Sequence, residues 1–157
     1  SVGAAPAYTG TVGIFPSVAI GADGLPLIAF YDATNTALQV AHCQDAVCSL
    51  STVSTIDAGV GIDVGLFPSV GIGADGLGMV SYYDNDTGDL KVAHCVDLPC
   101  TAAVANTIDT TDDVGRYTAA TIGADGLGLI AYHDWTNGDL KVAHCANAFC
   151  SPNFRRR

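Results

Sequence analysis

FPSVAIGADGLPLIAFYDATNTALQVAHC, residues 15–43, returns as FPSVGIGADGLGMVSYYDNDTGDLKVAHC at 67–95 and as YTAATIGADGLGLIAYHDWTNGDLKVAHC at 117–145. The offsets are 52 and then 50 residues, so three copies of one unit fill nearly the whole chain. This repetition constrains the fold more than any other feature. A unit of this length is a supersecondary element that cannot bury its apolar faces alone, and stacking of neighbours has to make the core.

Each unit reads as four short strands. PSVAIG alternates apolar and small side chains, and GADGL then supplies a tight turn with Gly24, Gly76 or Gly126 free to take positive φ. LPLIAFY is an apolar and aromatic second strand. Asp32–Thr36, Asp84–Gly88 and Asp134–Gly138 have turn chemistry. ALQVAHC or DLKVAHC is the third strand, and STVSTID or VANTID the fourth. The absence of Glu, the scarcity of Lys and the abundance of Val, Thr, Gly and Asp favour strands over helices. The expected fold is all-β: three four-stranded antiparallel β-propeller-like blades of about 50 residues each. Closed propellers have about four to eight blades, so three should stay open in a monomer. The expected boundaries are a donor or closing strand segment at 1–14, repeats at 15–66, 67–116 and 117–150, and a basic tail at 151–157. The third repeat is expected to be incomplete, because SPNFRRR does not match STVSTID.

The pattern IGADGLxxIAYYDxxNGDLKVAHC resembles the tandem units of large secreted bacterial proteins, which are themselves similar to sialidase-like and Asp-box propellers. That resemblance implies a propeller-type blade. The sialidase-like enzymes would bring an arginine triad, a Tyr–Glu nucleophile pair and an Asp acid. This chain has one Arg, Arg116, before its terminal run, and all 16 acidic residues are Asp. Most of those Asp recur at turn positions, and no Ser–His–Asp constellation stands out. The expectation is a protein without catalytic residues, cofactor or metal, and not an enzyme.

A histidine directly precedes a cysteine in every unit, with a second cysteine five residues on: VAHCQDAVC, VAHCVDLPC and VAHCANAFC. The order and spacing do not match haem attachment through Cys-x-x-Cys-His, nor a redox Cys-x-x-Cys. A zinc site would have two Cys and one His per unit and would need a fourth ligand. Four intervening residues let the chain reverse and bring two Cα atoms to the ~5.5 Å that a disulfide needs. The expected bridges are Cys43–Cys48, Cys95–Cys100 and Cys145–Cys150. By strand alternation His42, His94 and His144 share a face with apolar residues, and they are expected to be buried and hydrogen-bonded between blades.

Even, regularly spaced cysteines point to an oxidising compartment. The chain opens on Ser1, as a secreted chain freed of its signal peptide or a fragment would. No apolar run reaches the length of a membrane span. A net charge of −10 excludes nucleic acid as a partner. Two functional readings remain. One is an extracellular structural protein that assembles with itself into a ring, tube or filament. In it, residues 1–14 would cover the open edge of the third blade in a neighbour, with Val2, Ala4, Tyr8 and Val12 at the interface. The other is a lectin-like oligomer in which the single Trp, Trp135, stands beside Asp134, Asn137 and Asp139 to bind a glycan. DNDTGD could offer Asp84, Asp86 and Asp89 to Ca²⁺, although turn chemistry explains those residues without a metal.

Overall fold

A computed structural model describes residues 10–151 and the backbone of residues 153–156. Twelve strands form three four-stranded antiparallel sheets, with no helix among the described residues. The first sheet holds β1 (Ile14–Ile20), β2 (Pro26–Asp32), β3 (Ala37–Cys43) and β4 (Ser51–Asp57). The second holds β5 (Val64–Ile72), β6 (Gly78–Asp84), β7 (Asp89–Cys95) and β8 (Ala103–Asp109). The third holds β9 (Val114–Ile122), β10 (Gly128–Asp134), β11 (Asp139–Cys145) and β12 (Asn153–Arg156). Within each sheet the strands lie in chain order, which makes each sheet an up-and-down blade. The first strands, β1, β5 and β9, run side by side at the centre. The fold is the open, propeller-type array of three blades that the repeat implies.

One expectation is corrected. The third blade is not left with a bare edge: residues 153–156 of the basic tail form β12 and pair with β11 from Cys145↔Asn153 to Val142↔Arg156. The chain covers its own edge, so the argument that a neighbour must lend a strand loses its premise. Val2, Ala4 and Tyr8 lie outside the described residues. Val12 is described, and it faces its own first blade, beside Ile28, Phe30 and Ala41. Thr11 is tied to that blade as well, through Ala33 N–H to its carbonyl (2.9 Å) and its own N–H to Thr34 Oγ1 (2.8 Å).

The core is formed at two joints between blades. At the first, Leu27, Ala29, Leu38 and Val40 meet Val70, Val80, Tyr82 and Ala93. At the second, Met79, Leu90 and Val92 meet Ile130, Tyr132 and Ala143. Gly78 and Gly128 hold equivalent places at the two joints. A Cβ on Gly78 would stand 2.6 Å from Leu27 Cδ2, and one on Gly128 would stand 2.5 Å from Met79 Sδ. A side chain at either position would push the blades apart. Polar contacts cross the same joints. Tyr82 Oη donates to Asp57 (2.6 Å) and Lys91 Nζ lies 2.6 Å from the same carboxylate. Tyr132 Oη donates to Asp109 (2.8 Å) and Lys141 Nζ lies 2.6 Å from it.

Each unit also carries internal fastenings. The three expected bridges are formed, Cys43–Cys48, Cys95–Cys100 and Cys145–Cys150, with Cα–Cα separations of 4.8, 4.9 and 4.3 Å. His42, His94 and His144 each place Nε2 2.8–2.9 Å from an Asp of the GADG turn in the same unit: Asp23, Asp75 and Asp125. His42 and His94 are buried on the joint faces, whereas His144 is half-exposed.

Candidate functional site

The inner strands share a distortion. Register shifts interrupt pairing between Ile14 and Ser17 and between Leu66 and Ser69, and at the equivalent place opposite His133 in β10. There Phe15, Phe67 and Tyr117 adopt φ of 54°, 51° and 54°. A non-glycine residue in the left-handed region costs about 1–3 kcal/mol and persists only where its surroundings hold it. The bulge turns each ring toward the centre of the array, and the rings stack into a ladder with centroids 4.5 Å (Phe15–Phe67) and 4.4 Å (Phe67–Tyr117) apart. Phe15 is 43% and Tyr117 60% exposed, so the ladder is open to solvent.

The third unit extends the ladder with residues the other units lack. His133 replaces Tyr31 and Tyr83, Trp135 replaces Ala33 and Asn85, and Arg116 replaces Ile14 and Leu66. His133 lies 6.3 Å from Tyr117 and meets Trp135 edge-on at 5.7 Å. The Arg116 guanidinium lies over Trp135 (4.6 Å) and Tyr83 (5.1 Å) and pairs with Asp113 (2.8 Å). Trp135 itself is 53% exposed. Hydrogen-bonding groups surround these rings. Tyr31 Oη donates to Asp63 (2.5 Å), Tyr83 Oη donates to Asp113 (2.8 Å), and Asn85 Nδ2 donates to Asp63 (3.0 Å). Burial and the neighbouring Asp63 push the Tyr31 hydroxyl well above the usual phenol range, and burial and Asp113 push Tyr83 up against the pull of Arg116. These hydroxyls therefore remain donors at neutral pH. The surface combines apolar rings, a cation held flat by stacking, and fixed carboxylates.

The expected group Asp134, Trp135, Asn137 and Asp139 is not one site. Asp134 is fully buried and accepts from the Asn137 N–H (3.0 Å) and from its side-chain amide, so both residues are engaged in the turn. Asp139 is exposed and sits opposite Asp134 across the hairpin. Trp135 alone joins the aromatic cluster. Asp84 is likewise buried and accepts from the N–H groups of Asp86 and Thr87, while Asp86 accepts from the Asp63 N–H (2.6 Å). These carboxylates serve turns and connections. The members of the cluster that sequence reading missed, Arg116, Tyr117 and His133, had a readable signal: apart from the aromatic Tyr117, they are departures from the repeat.

No protein-family model matches the chain, and no curated protein sequence matches it. Among solved structures the chain is similar to an exo-beta-1,3-galactanase from Phanerochaete chrysosporium, crystallised with beta-1,3-galactotriose, at 11% identity and a TM-score of 0.58, over 90% of this chain and 34% of that one. It is also similar to an endo-arabinase from Bacteroides thetaiotaomicron (14% identity, TM-score 0.52, 76% of this chain and 50% of that one). A third is an alpha-L-arabinofuranosidase from Lactobacillus brevis (14% identity, TM-score 0.56, 88% of this chain and 51% of that one). The chain spans between a third and a half of these structures. At such identities the likeness is one of fold, and the fold is that of β-propellers. The expectation that the chain is no enzyme is corrected by the same finding, since all three neighbours are carbohydrate-acting enzymes built on this architecture. The three disulfides fit an oxidising, extracellular setting.

Proposed function

We propose that the chain is part of an extracellular propeller that recognises carbohydrate, with the glycan lying across Trp135 and Tyr117. The observation that carries this reading is the exposed aromatic surface held in place by three strained bulges and an arginine stacked between rings. Apolar ring faces beside fixed hydrogen-bonding groups match the two sides of a sugar ring, its C–H face and its hydroxyls. Because Arg116 is already neutralised by Asp113 and the chain carries a net charge of −10, the surface suits neutral sugars. The company of galactan- and arabinan-acting propellers supports the same ligand class.

Affinity electrophoresis in gels containing arabinan or β-1,3-galactan tests it. The intact chain should be retarded by at least one of the two. Trp135→Ala and Tyr117→Ala should each weaken retention about tenfold or more while leaving the circular dichroism spectrum unchanged. Retention that survives both substitutions, or none with either glycan, refutes the reading. Reducing sugar released from the same glycans would extend it from recognition to turnover.

A further inference from the structure

Asp63 and Asp113 hold the same place in the second and third blades, and each fixes the hairpin turn beside it. The Asp63 carbonyl accepts from the Asn85 N–H (2.9 Å), and the Asp113 carbonyl from the Trp135 N–H (2.8 Å). The Asp63 N–H donates to Asp86 Oδ2 (2.6 Å), and the Asp113 N–H to Thr136 Oγ1 (3.1 Å). Each carboxylate also accepts a tyrosine hydroxyl from the blade before: Tyr31 across the first joint and Tyr83 across the second.

One pair of residues breaks this equivalence. Asn85 Nδ2 donates to Asp63 (3.0 Å), but the indole of Trp135, in the matching position, makes no such bond to Asp113 among the described residues. Asp113 receives Arg116 instead, through Nε (3.2 Å) and Nη2 (2.8 Å). Leu66, the counterpart of Arg116, has no side-chain donor to offer. The two departures belong together: the tryptophan takes a donor away from the carboxylate, and the arginine restores one. Arg116 Nη2 also donates to Tyr83 Oη (3.3 Å), while the guanidinium lies over the rings of Trp135 and Tyr83. A cation over an indole face is attractive, and its bonds to a carboxylate leave it few orientations. Tyr83 belongs to the second blade and Trp135 to the third, so this cluster spans the joint.

We infer that Arg116 is a positioning residue: through Asp113 it ties the Trp135 ring to Tyr83, so that the orientation of the ring depends on the second joint being closed. The inference rests on the carbohydrate reading for what the ring binds, and on the bonds to Asp113 for how the ring is held.

Trp135 is the single tryptophan of the chain, so its fluorescence reports its position without any ligand. Arg116→Lys keeps the charge and loses the flat guanidinium. It should move the emission to longer wavelength and raise quenching by acrylamide. It should also weaken retention by arabinan or β-1,3-galactan about two- to fivefold, with the circular dichroism spectrum unchanged. Tyr83→Phe, a change on the other side of the joint, should move the emission in the same direction. Tyr31→Phe removes the equivalent hydroxyl from the first joint and should leave the emission where it is. A double-mutant cycle checks the pairing of the two departures. Arg116→Leu should lower the thermal midpoint by about 2–4 °C. Adding Trp135→Asn supplies the amide that Asn85 gives Asp63 and should recover most of that loss. Emission indifferent to Arg116→Lys overturns the inference, and so does emission that responds equally to Tyr31→Phe and Tyr83→Phe. Additive losses in the cycle, or glycan retention that Arg116→Lys leaves intact, overturn it as well. An unaltered chain that neither glycan retains refutes the carbohydrate reading, and the emission and the cycle still decide how Trp135 is held.

Discussion

Asp109 is the best place to measure what holds two blades together. Its side chain is 0% exposed, and it accepts from Tyr132 Oη and pairs with Lys141 Nζ at 2.6 Å, a cation itself only 5% exposed. Asp109→Ala would strand that ammonium in the joint. Removing one member of a buried pair costs about 3–5 kcal/mol. Asp134 remains 3.7 Å from the same Nζ and holds the loss near the lower bound, about 3 kcal/mol. The first joint supplies the control. Asp57 and Lys91 are 19% and 17% exposed, so water screens the cation when Asp57→Ala removes its partner, and about 1 kcal/mol is expected there. Urea unfolding under non-reducing conditions should separate the two variants by about 2 kcal/mol, or roughly 4–8 °C in thermal midpoint for a chain of this size. Lys141→Met/Asp109→Leu should lose much less than the sum of its single changes. The dependence on pH has a definite sign. Burial pushes the Asp109 carboxyl up, but hydrogen bonds from Lys141, the Thr111 N–H and Tyr132 outweigh it and hold it below the usual carboxylate range. A depressed folded-state value stabilises above the unfolded value and loses that contribution as pH falls through the folded one. The gap between the unaltered chain and Asp109→Ala should therefore be full at neutral pH and narrow in acid. Equal losses at Asp57 and Asp109, or a gap that stays constant down to acid pH, would refute the reasoning.

Three further outcomes are expected. Gly65→Ala should cost about 2–5 kcal/mol by thermal or urea unfolding, because Gly65 sits at φ +100° and a Cβ there would stand 2.5 Å from the Leu38 backbone nitrogen. Thiol titration of the unfolded, unreduced chain should find no free thiol, and Cys145→Ser/Cys150→Ser should cost about 2 kcal/mol while the other two blades keep their fold. Alkaline titration followed by tyrosinate absorbance should show Tyr82 ionising far above the usual phenol range, because burial and then Asp57 raise it. A raised folded-state value means that this stability is full below the unfolded phenol value and is lost as pH rises, so Tyr82→Phe should flatten the alkaline decline.

The repeat made most of the architecture readable. Alternation in ALQVAHC placed Leu38, Val40 and His42 on one face, and that face is the joint; the spacing of the cysteines gave their pairing. The fourth strand of the third blade was not readable, because NFRRR shares no pattern with STVSTID. What recruits it is the edge of β11, whose unpaired backbone groups accept any extended segment the chain brings past them. The aromatic surface was half readable. Trp135 stood out as the single tryptophan, but its partners come from residues 116, 117 and 133 and from two other units, and a backbone bulge aims them. Alternation of side chains cannot forecast a bulge, since the extra residue breaks the period on which that reading depends.

The middle unit holds one half of each of the two joints. The donors, Tyr82 and Lys91, stand on one face, and the acceptor for the next unit, Asp109, ends the last strand. A single tandem duplication of such a stretch of gene therefore creates a matched contact at once, with no second mutation needed to complete it. The disulfide and the His–Asp pair, being internal, are inherited intact with every copy. Among the described residues, the first and third units each have one face outside the two joints. Pro26, Gln39, His133 and Trp135, which depart from their equivalents in the other units, all stand in those two units.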